Sequence, residues 1–193
     1  MSAGSGRCEM AIRDRDRVKM NEQDAHQRIH NFNEVNMGLT LEQAISEAER
    51  CFDCKAPRCV KGCPVNIDIP RFINYIKSGD LDKAYQTISS TNNLPAVCGR
   101  VCPQEEQCEK LCIRGPKLGG AVAIGYLERF VADYALTKEY KAESFSQNNI
   151  KVAIVGSGPA GLTCAADCAR NGMKVTIYEA FHKAGGVLVY GIP

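Results

Sequence analysis

Cys51-x2-Cys54-x4-Cys59-x3-Cys63-Pro64, followed by Cys98-x3-Cys102-Pro103-x4-Cys108-x3-Cys112, is the stretch that decides how this chain folds. Eight of the eleven cysteines fall in these two groups, each with a proline directly after one of its cysteines. Repeated short spacings let one loop wrap several thiolates around a single inorganic centre. The nearest pattern is the C-x2-C-x2-C-x3-C-P run, in which three cysteines hold one 4Fe-4S cluster and the fourth, before proline, crosses to another. On that reading the segment holds two clusters whose ligands are exchanged between the groups. Structural zinc also uses C-x2-C pairs, so a zinc-stabilised interaction module without redox chemistry stands as the alternative. A disulfide framework needs an oxidising compartment, and the small, polar Met1–Gly6 has no apolar signal-peptide core. The x4 gap and the two Cys-Pro pairs favour iron and sulfide.

Composition narrows the rest. At 193 residues, 45% hydrophobic and 24% charged, the chain has room for one packed domain or one and a part. A formal charge of +2 is too small to argue for nucleic acid or an anionic membrane as partner. No apolar run approaches the length of a membrane span. Cysteine-rich and without an export signal, the chain is expected in a reducing cytoplasm.

Residues 1–38 read as a flexible extension. Arg13-Asp14-Arg15-Asp16-Arg17 alternates in sign, which marks a solvated face or an arm laid over a partner subunit. Residues 39–136 read as a helical domain. Thr40 and Gln43 form a capping box ahead of the stripe Leu41, Ala44, Ile45, Ala48, and this helix delivers the chain to Cys51. Asp68 caps a second helix with Pro70 in its first turn and Ile69, Phe72, Ile73 and Ile76 buried; Gly79 stops it. Asp80 caps a third, carrying Leu81, Ala84, Tyr85 and Ile88, and residues 91–95 form a loop. A helix from about Ala121 to Ala135 presents Ile124, Leu127, Val131 and Tyr134, with Glu128 on the same stripe. A buried carboxylate is costly unless paired or bound to a cation. Glu128 is therefore a metal-ligand candidate. Otherwise it lies at the stripe edge, reaching water or paired with Arg129, Arg100 or Arg114.

Residues 137–149 are polar and aperiodic, a linker. Lys151-Val-Ala-Ile-Val155 then reads as a buried strand, followed by Gly156-Ser157-Gly158-Pro159-Ala160-Gly161, a helix from Leu162 to Arg170, and a second strand Lys174–Tyr178 ending at Glu179. This is a dinucleotide-binding fingerprint in its strand–helix–strand context. Its glycines let the backbone approach a pyrophosphate at a helix N-terminus, and Glu179 holds the position that hydrogen-bonds a ribose. Cys164 and Cys168 read as small core residues. The expected fold is an α-helical, ferredoxin-like domain with two 4Fe-4S clusters, then the opening βαβ unit of a Rossmann-like α/β domain over residues 150–193. With only two strands before Pro193, the chain is expected to be part of a longer flavoprotein or pyridine-nucleotide protein.

This order resembles the family of the NADPH-dependent glutamate synthase small (beta) subunit. The family includes the large subunit of NADH-dependent ferredoxin:NADP oxidoreductase and the N-terminal part of dihydropyrimidine dehydrogenase. The matching motifs are Cys59-Val-Lys-Gly-Cys63-Pro-Val, Cys98-Gly-Arg-Val-Cys102-Pro-Gln-Glu, Ile124-Gly-Tyr-Leu-Glu-Arg-Phe130, Val155-Gly-Ser-Gly-Pro-Ala-Gly161 and Gly185-Gly-Val-Leu-Val-Tyr-Gly-Ile-Pro193. The resemblance implies that Cys51, Cys54, Cys59 and Cys112 hold one cluster. It implies that Cys63, Cys102 and Cys108 hold the other, completed by Glu128, leaving Cys98 as a spare thiol near the flavin. It makes the dinucleotide FAD, at Gly156, Ser157, Gly158, Pro159, Ala160, Gly161, Glu179, Gly186 and Val187, with an NAD(P)H domain beyond Pro193. No residue here is expected to be catalytic in itself. The implied function is electron transfer between NAD(P)H-reduced FAD and a second redox subunit, the glutamate synthase large subunit. The other form is a subunit of an electron-bifurcating transhydrogenase with a ferredoxin-linked flavoprotein partner.

Overall fold

The computed structural model describes residues 16–115, 118–138 and 145–192. They fall in two compact units that divide between residues 138 and 139. The first opens with β1 (Asn21–Glu22) paired antiparallel to β2 (Asn36–Gly38), with α1 (Ala25–Arg28) between them. Six further helices follow among the described residues: α2 (Leu41–Glu49), α3 (Arg58–Lys61), α4 (Ile69–Lys77), α5 (Leu81–Ser89), α6 (Pro95–Val101) and α7 (Ile124–Leu136).

Three of these begin where local chemistry places them. Thr40 Oγ1 accepts from Gln43 N at 3.2 Å while Gln43 Oε1 accepts from Thr40 N at 2.9 Å, the reciprocal capping box. Asp68 accepts from Arg71 N at the head of α4, and Asp80 accepts from Lys83 N at the head of α5. The core then assembles from their apolar stripes. Ile69, Phe72, Ile73 and Ile76 of α4 pack with Ala44 and Ala48 of α2, Ala84 and Ile88 of α5, and Leu127 and Val131 of α7. Each isoleucine, leucine, valine or phenylalanine among them contributes roughly 1.5–3 kcal/mol on burial, and the alanines less. Leu41, expected on the buried stripe, is instead exposed. Tyr134 is half-buried and its hydroxyl donates to Asp82 at 3.2 Å.

Two helices were not expected. α3 is a single turn between cysteines, and α6 starts at Pro95, whose fixed φ suits a first helical position. α7 starts at Ile124 rather than 121. The carbonyls of Gly119, Gly120 and Ala121 accept from the Arg50 guanidinium at 2.7, 2.7 and 3.3 Å, and Ala123 N donates to Glu47. Those groups are thus held outside the helix.

The N-terminal segment also differs from expectation. Residues 1–15, with Arg13, Asp14 and Arg15 of the alternating run, lie outside the described residues. Residues 16–38, however, are anchored to the helices. Arg17 pairs with buried Glu109 at 2.5 Å, Val18 N donates to Glu47 at 2.7 Å, and Arg129 Nη2 donates to Asn36 O at 2.6 Å. Glu34 meets Arg100 at 2.8 Å and Arg129 at 3.0 Å. The segment looks solvated in sequence because its partners are 29 to 109 residues away.

In the second unit β3 (Lys151–Val155) and β4 (Lys174–Tyr178) pair in parallel, from Lys151 opposite Lys174 to Val155 opposite Tyr178. Between them runs α8 (Pro159–Arg170), beginning three residues ahead of the expected Leu162, and α9 (Val187–Tyr190) follows. Gly161 permits the turn: a Cβ there would lie 2.1 Å from Gly156 O. Two strands bury little among the described residues. Ile154 is buried, Val155 is 91% exposed, and α8 packs through Ala165. Cys164 is exposed and Cys168 half-buried, not core residues as expected, because Ala165 takes the inward position. Of the expected linker, residues 139–144 lie outside the described residues, as does Pro193. Among the described residues no helix is long and apolar enough to cross a membrane.

The tightest crossing is α6 on α7. A Cβ at Gly99 would lie 2.6 Å from Arg129 N and 2.7 Å from its Cα, both backbone atoms that cannot swing aside. Gly99→Ala should therefore destabilise the helical unit by about 1–3 kcal/mol, the usual overpacking cost. Anaerobic denaturant unfolding followed by circular dichroism measures it.

Candidate functional site

Cys51 sits at the end of α2, its N–H donating to Ala48 O at 3.0 Å. Cys54 lies beyond Asp53, whose φ of 51° turns the chain. Cys59 is on α3, and Cys112 arrives from the second cysteine group. All four line one pocket, walled by Ile69, Pro70, Ile73, Val122 and Ile124. Burial pushes the Cys51 thiol up. It pushes Cys59 up to about 12, with further contributions from Cys51, Cys112 and Cys54. Burial thus opposes the ionisation of Cys51 and Cys59, a cost that a shared metal centre would offset. A coordinated thiol is deprotonated outright. The donor set fits an iron–sulfur core.

A second group forms beside it. Cys102 ends α6, Cys108 is buried, and Glu128 on α7 is 6% exposed. Burial first, then Glu109, Cys63 and Glu128, pushes Cys108 up to about 12. Cys63, Cys102, Cys108 and Glu128 are therefore neighbours. Cys98 is close as well. Its hydrogen bond with Cys102 holds Cys98 down to about 6 and pushes Cys102 up.

Glu128 Oε1 accepts from Asn92 Nδ2 at 2.8 Å. None of the three arginines considered from sequence is its partner in these bonds. Arg129 pairs with Glu34 and Asp133, Arg100 with the same two acids, and Arg114 donates to the carbonyls of Arg50 and Leu118. Burial lifts the Glu128 carboxyl to about 8, with Cys98 adding to the rise and Asn92 opposing it. A carboxyl so placed holds a proton or a cation.

Two close backbone approaches bring the groups together. A Cβ at Gly62 would lie 2.7 Å from Gln107 O and 3.1 Å from Cys108 Cα. The loop carrying Cys59 and Cys63 therefore touches the loop carrying Cys108. The Gly99 crossing likewise seats Cys98 and Cys102 against the turn of α7 that bears Glu128. Among the described residues no three His, Cys, Asp or Glu side chains converge on a single ion. Asn92 and Glu109 were not singled out from sequence. Asn92 sits in what reads as a plain loop, and only the chain's return through α7 gives it a carboxylate to hold.

In the second unit the fingerprint turn is assembled around Ser157. Glu179 Oε2 accepts from Ser157 N at 2.9 Å and from Ser157 Oγ, and Glu179 Oε1 accepts from Phe181 N at 2.9 Å. Ser157 Oγ in turn accepts from Gly185 N at 2.9 Å, which seats Gly185 and Gly186 beside the turn. Val187 begins α9 and is half open to solvent. No side chain caps α8 at Gly158, so the amides of Ala160 and Gly161 are placed for an anion. Both carboxylate oxygens of Glu179, the acid expected at a ribose, are thus engaged by the turn itself.

Residues 28–140 match the family model for dihydropyrimidine dehydrogenase domain II, 4Fe-4S cluster, and residues 154–189 that for an NAD(P)-binding Rossmann-like domain. The chain is 41% identical over 166 residues to the putative oxidoreductase AegA of Escherichia coli, covering 84% of this chain and 25% of that one. It is 37% identical over 171 residues to the glutamate synthase [NADPH] small chain of Azospirillum brasilense, covering 88% and 36%. It is 38% identical over 163 residues to the NAD-dependent dihydropyrimidine dehydrogenase subunit PreT of Salmonella typhimurium, covering 84% and 39%. The chain thus spans from a quarter to under half of the length of these relatives.

The Ser157 hydrogen bonds hold the Glu179 carboxyl down to about 2, from an ordinary 4.5, with Phe181 N adding to the effect. A depressed carboxylate contributes stability that is present above its ordinary pKa and lost as pH falls through the folded value. Ser157→Ala should move the Glu179 titration back toward 4.5, so that the acid-side loss is smaller and is complete at higher pH. A carboxyl-carbon NMR titration of Glu179 reads the shift.

Proposed function

The chain belongs to the family of dihydropyrimidine dehydrogenase domain II with its 4Fe-4S cluster, and from that membership we propose that it is the electron-transfer module of an iron–sulfur flavoprotein. Cys51, Cys54, Cys59 and Cys112 would hold one 4Fe-4S cluster. Cys63, Cys102, Cys108 and Glu128 would hold a second, with Cys98 a thiol beside it. FAD would take the turn from Gly156 to Gly161, with Glu179 on the adenosine ribose and Gly186 and Val187 alongside. Bound there, the flavin exchanges electron pairs for single electrons and the clusters carry those singly. The source would be NAD(P)H, and the destination a second redox subunit such as the large subunit of glutamate synthase. Free thiols in this number suit a reducing cytoplasm.

The observation that carries this reading is the exchange between the two cysteine groups. Cys112 joins the pocket of Cys51, Cys54 and Cys59, and Cys63 joins Cys102, Cys108 and Glu128. Each site needs both halves of the helical unit folded around it. The chain's own side chains do three things for such clusters. They exclude water with Ile69, Ile73 and Ile124, they aim the N–H groups of Asp53, Val60 and Glu109 at sulfur, and they place a carboxyl within the second group. Hydrogen bonds to sulfur and solvent exposure are levers on a cluster's potential.

Protein purified without oxygen should be brown and carry about eight irons with matching acid-labile sulfide, as two four-iron clusters require. A colourless protein holding stoichiometric zinc would overturn the reading. Glu128→Ala should lose the cluster of Cys63, Cys102 and Cys108 and keep the other, halving the iron content. Cys98→Ser should keep both. The opposite outcome for this pair of variants would make Cys98 the ligand and Glu128 a bystander, and iron analysis with electron paramagnetic resonance distinguishes them.

A further inference from the structure

The two cysteine groups differ in the charge that surrounds them. Lys77, half-buried in the last turn of α4, does not turn back on its own helix. Its ammonium donates to Cys51 O at 3.0 Å, across 26 residues of chain. Arg114, 2% exposed, donates to Arg50 O at 3.0 Å and lies 5.1 Å over the ring of Phe52. The peptide carbonyls on both sides of the Cys51 backbone are therefore held by cations. The second group has one carboxylate beyond its assigned ligands: Glu109, directly after Cys108 and 5% exposed, while Glu128, 6% exposed, is itself one of the four. Glu109 is matched by Arg17 at 2.5 Å and by Gly125 N at 3.1 Å, and Glu128 meets the neutral amide of Asn92.

Reduction adds one negative charge to a cluster already ligated by four anions. A nearby fixed cation favours that added charge and a nearby carboxylate opposes it, more strongly where water is excluded. Net charge and hydrogen bonding are among the factors that set a cluster's potential.

We propose that Lys77 is a positioning residue of the electron path: with Arg114 it steadies the Cys51 loop and makes the cluster of Cys51, Cys54, Cys59 and Cys112 the better electron acceptor of the two. It rests on the iron–sulfur reading above. Electrons entering the pair would then come to rest on that cluster, whichever one receives them first.

The test is a redox titration of the full chain, loaded with iron and sulfide under anaerobic conditions and followed by electron paramagnetic resonance. Cys54→Ser identifies which signal belongs to the first cluster. In the unsubstituted protein that signal should appear first as the potential is lowered; the reverse order overturns the proposal. Lys77→Met should shift its midpoint to more negative potential by a factor of ten in the one-electron equilibrium, about 59 mV, leaving the other cluster in place. Lys77→Arg should restore the original value. If Lys77→Met fails to hold the cluster, Lys77→Gln, which removes the charge but keeps a donor, carries the same expectation. An unmoved midpoint, or an equal shift of both clusters, overturns the proposal and leaves the iron–sulfur reading intact. A protein that takes up no clusters overturns that reading and this one together.

Discussion

The ion pair of Glu47 and Arg50, both fully buried at the end of α2, ties the helical unit together. Two charges taken out of water are tolerated only when their remaining hydrogen-bonding capacity is met. Here it is met from three directions. Glu47 accepts from Arg50, from Ala123 N at the head of α7 and from Val18 N in the N-terminal segment. Arg50 reaches the carbonyls of residues 119–121. One side-chain pair thereby fixes where α2 ends, where α7 begins and where the N-terminal segment lies. Cys51 is the next residue after Arg50, so the first cysteine pocket inherits its placement from this pair. Removing one partner of a buried pair typically costs about 3–5 kcal/mol, and here the loss would reach the sites as well as the core.

The cysteine groups are built on the opposite principle. Burial in apolar surroundings pushes the Cys59 and Cys108 thiols up. An iron–sulfur centre would convert that crowding into a ligand shell. Binding of that kind is coupled to folding, because the site does not exist in the unfolded chain. Bound clusters would thus give the helical unit a second support beside the aliphatic core of α2, α4, α5 and α7, and the glycines at 62 and 99 let the cysteine loops approach each other and α7 closely.

The strand–helix–strand unit follows simpler rules. Its turn is held by short-range bonds, Ser157 to Glu179 and Gly185 to Ser157, and its strands pair in uninterrupted register. Little of its surface is buried among the described residues. Local hydrogen bonding sets the shape of its turn.

Much of this was legible before any coordinates. The capping residues Thr40, Asp68 and Asp80 announce their helices because a cap is chemistry between residues three apart. The stripe of α4 and the fingerprint Gly156–Gly161 are readable for the same reason: spacing along the chain is spacing in the element. Even Glu128 stands out as an acid where the stripe wants an apolar side chain. What no local pattern carries is who meets whom across the fold. The Asn92 amide on Glu128, the cations of Lys77 and Arg114 around Cys51, and the anchoring of residues 16–38 by Glu109, Arg100 and Arg129 join residues 26 to 109 apart. The sequence by itself determined the capped helices, the two cysteine groups, the acid on the α7 stripe and the glycine-rich turn between the paired strands. Only the tertiary structure decided the charge around each cysteine group, because that depends on which distant side chains the packing of α2, α4, α6 and α7 brings alongside.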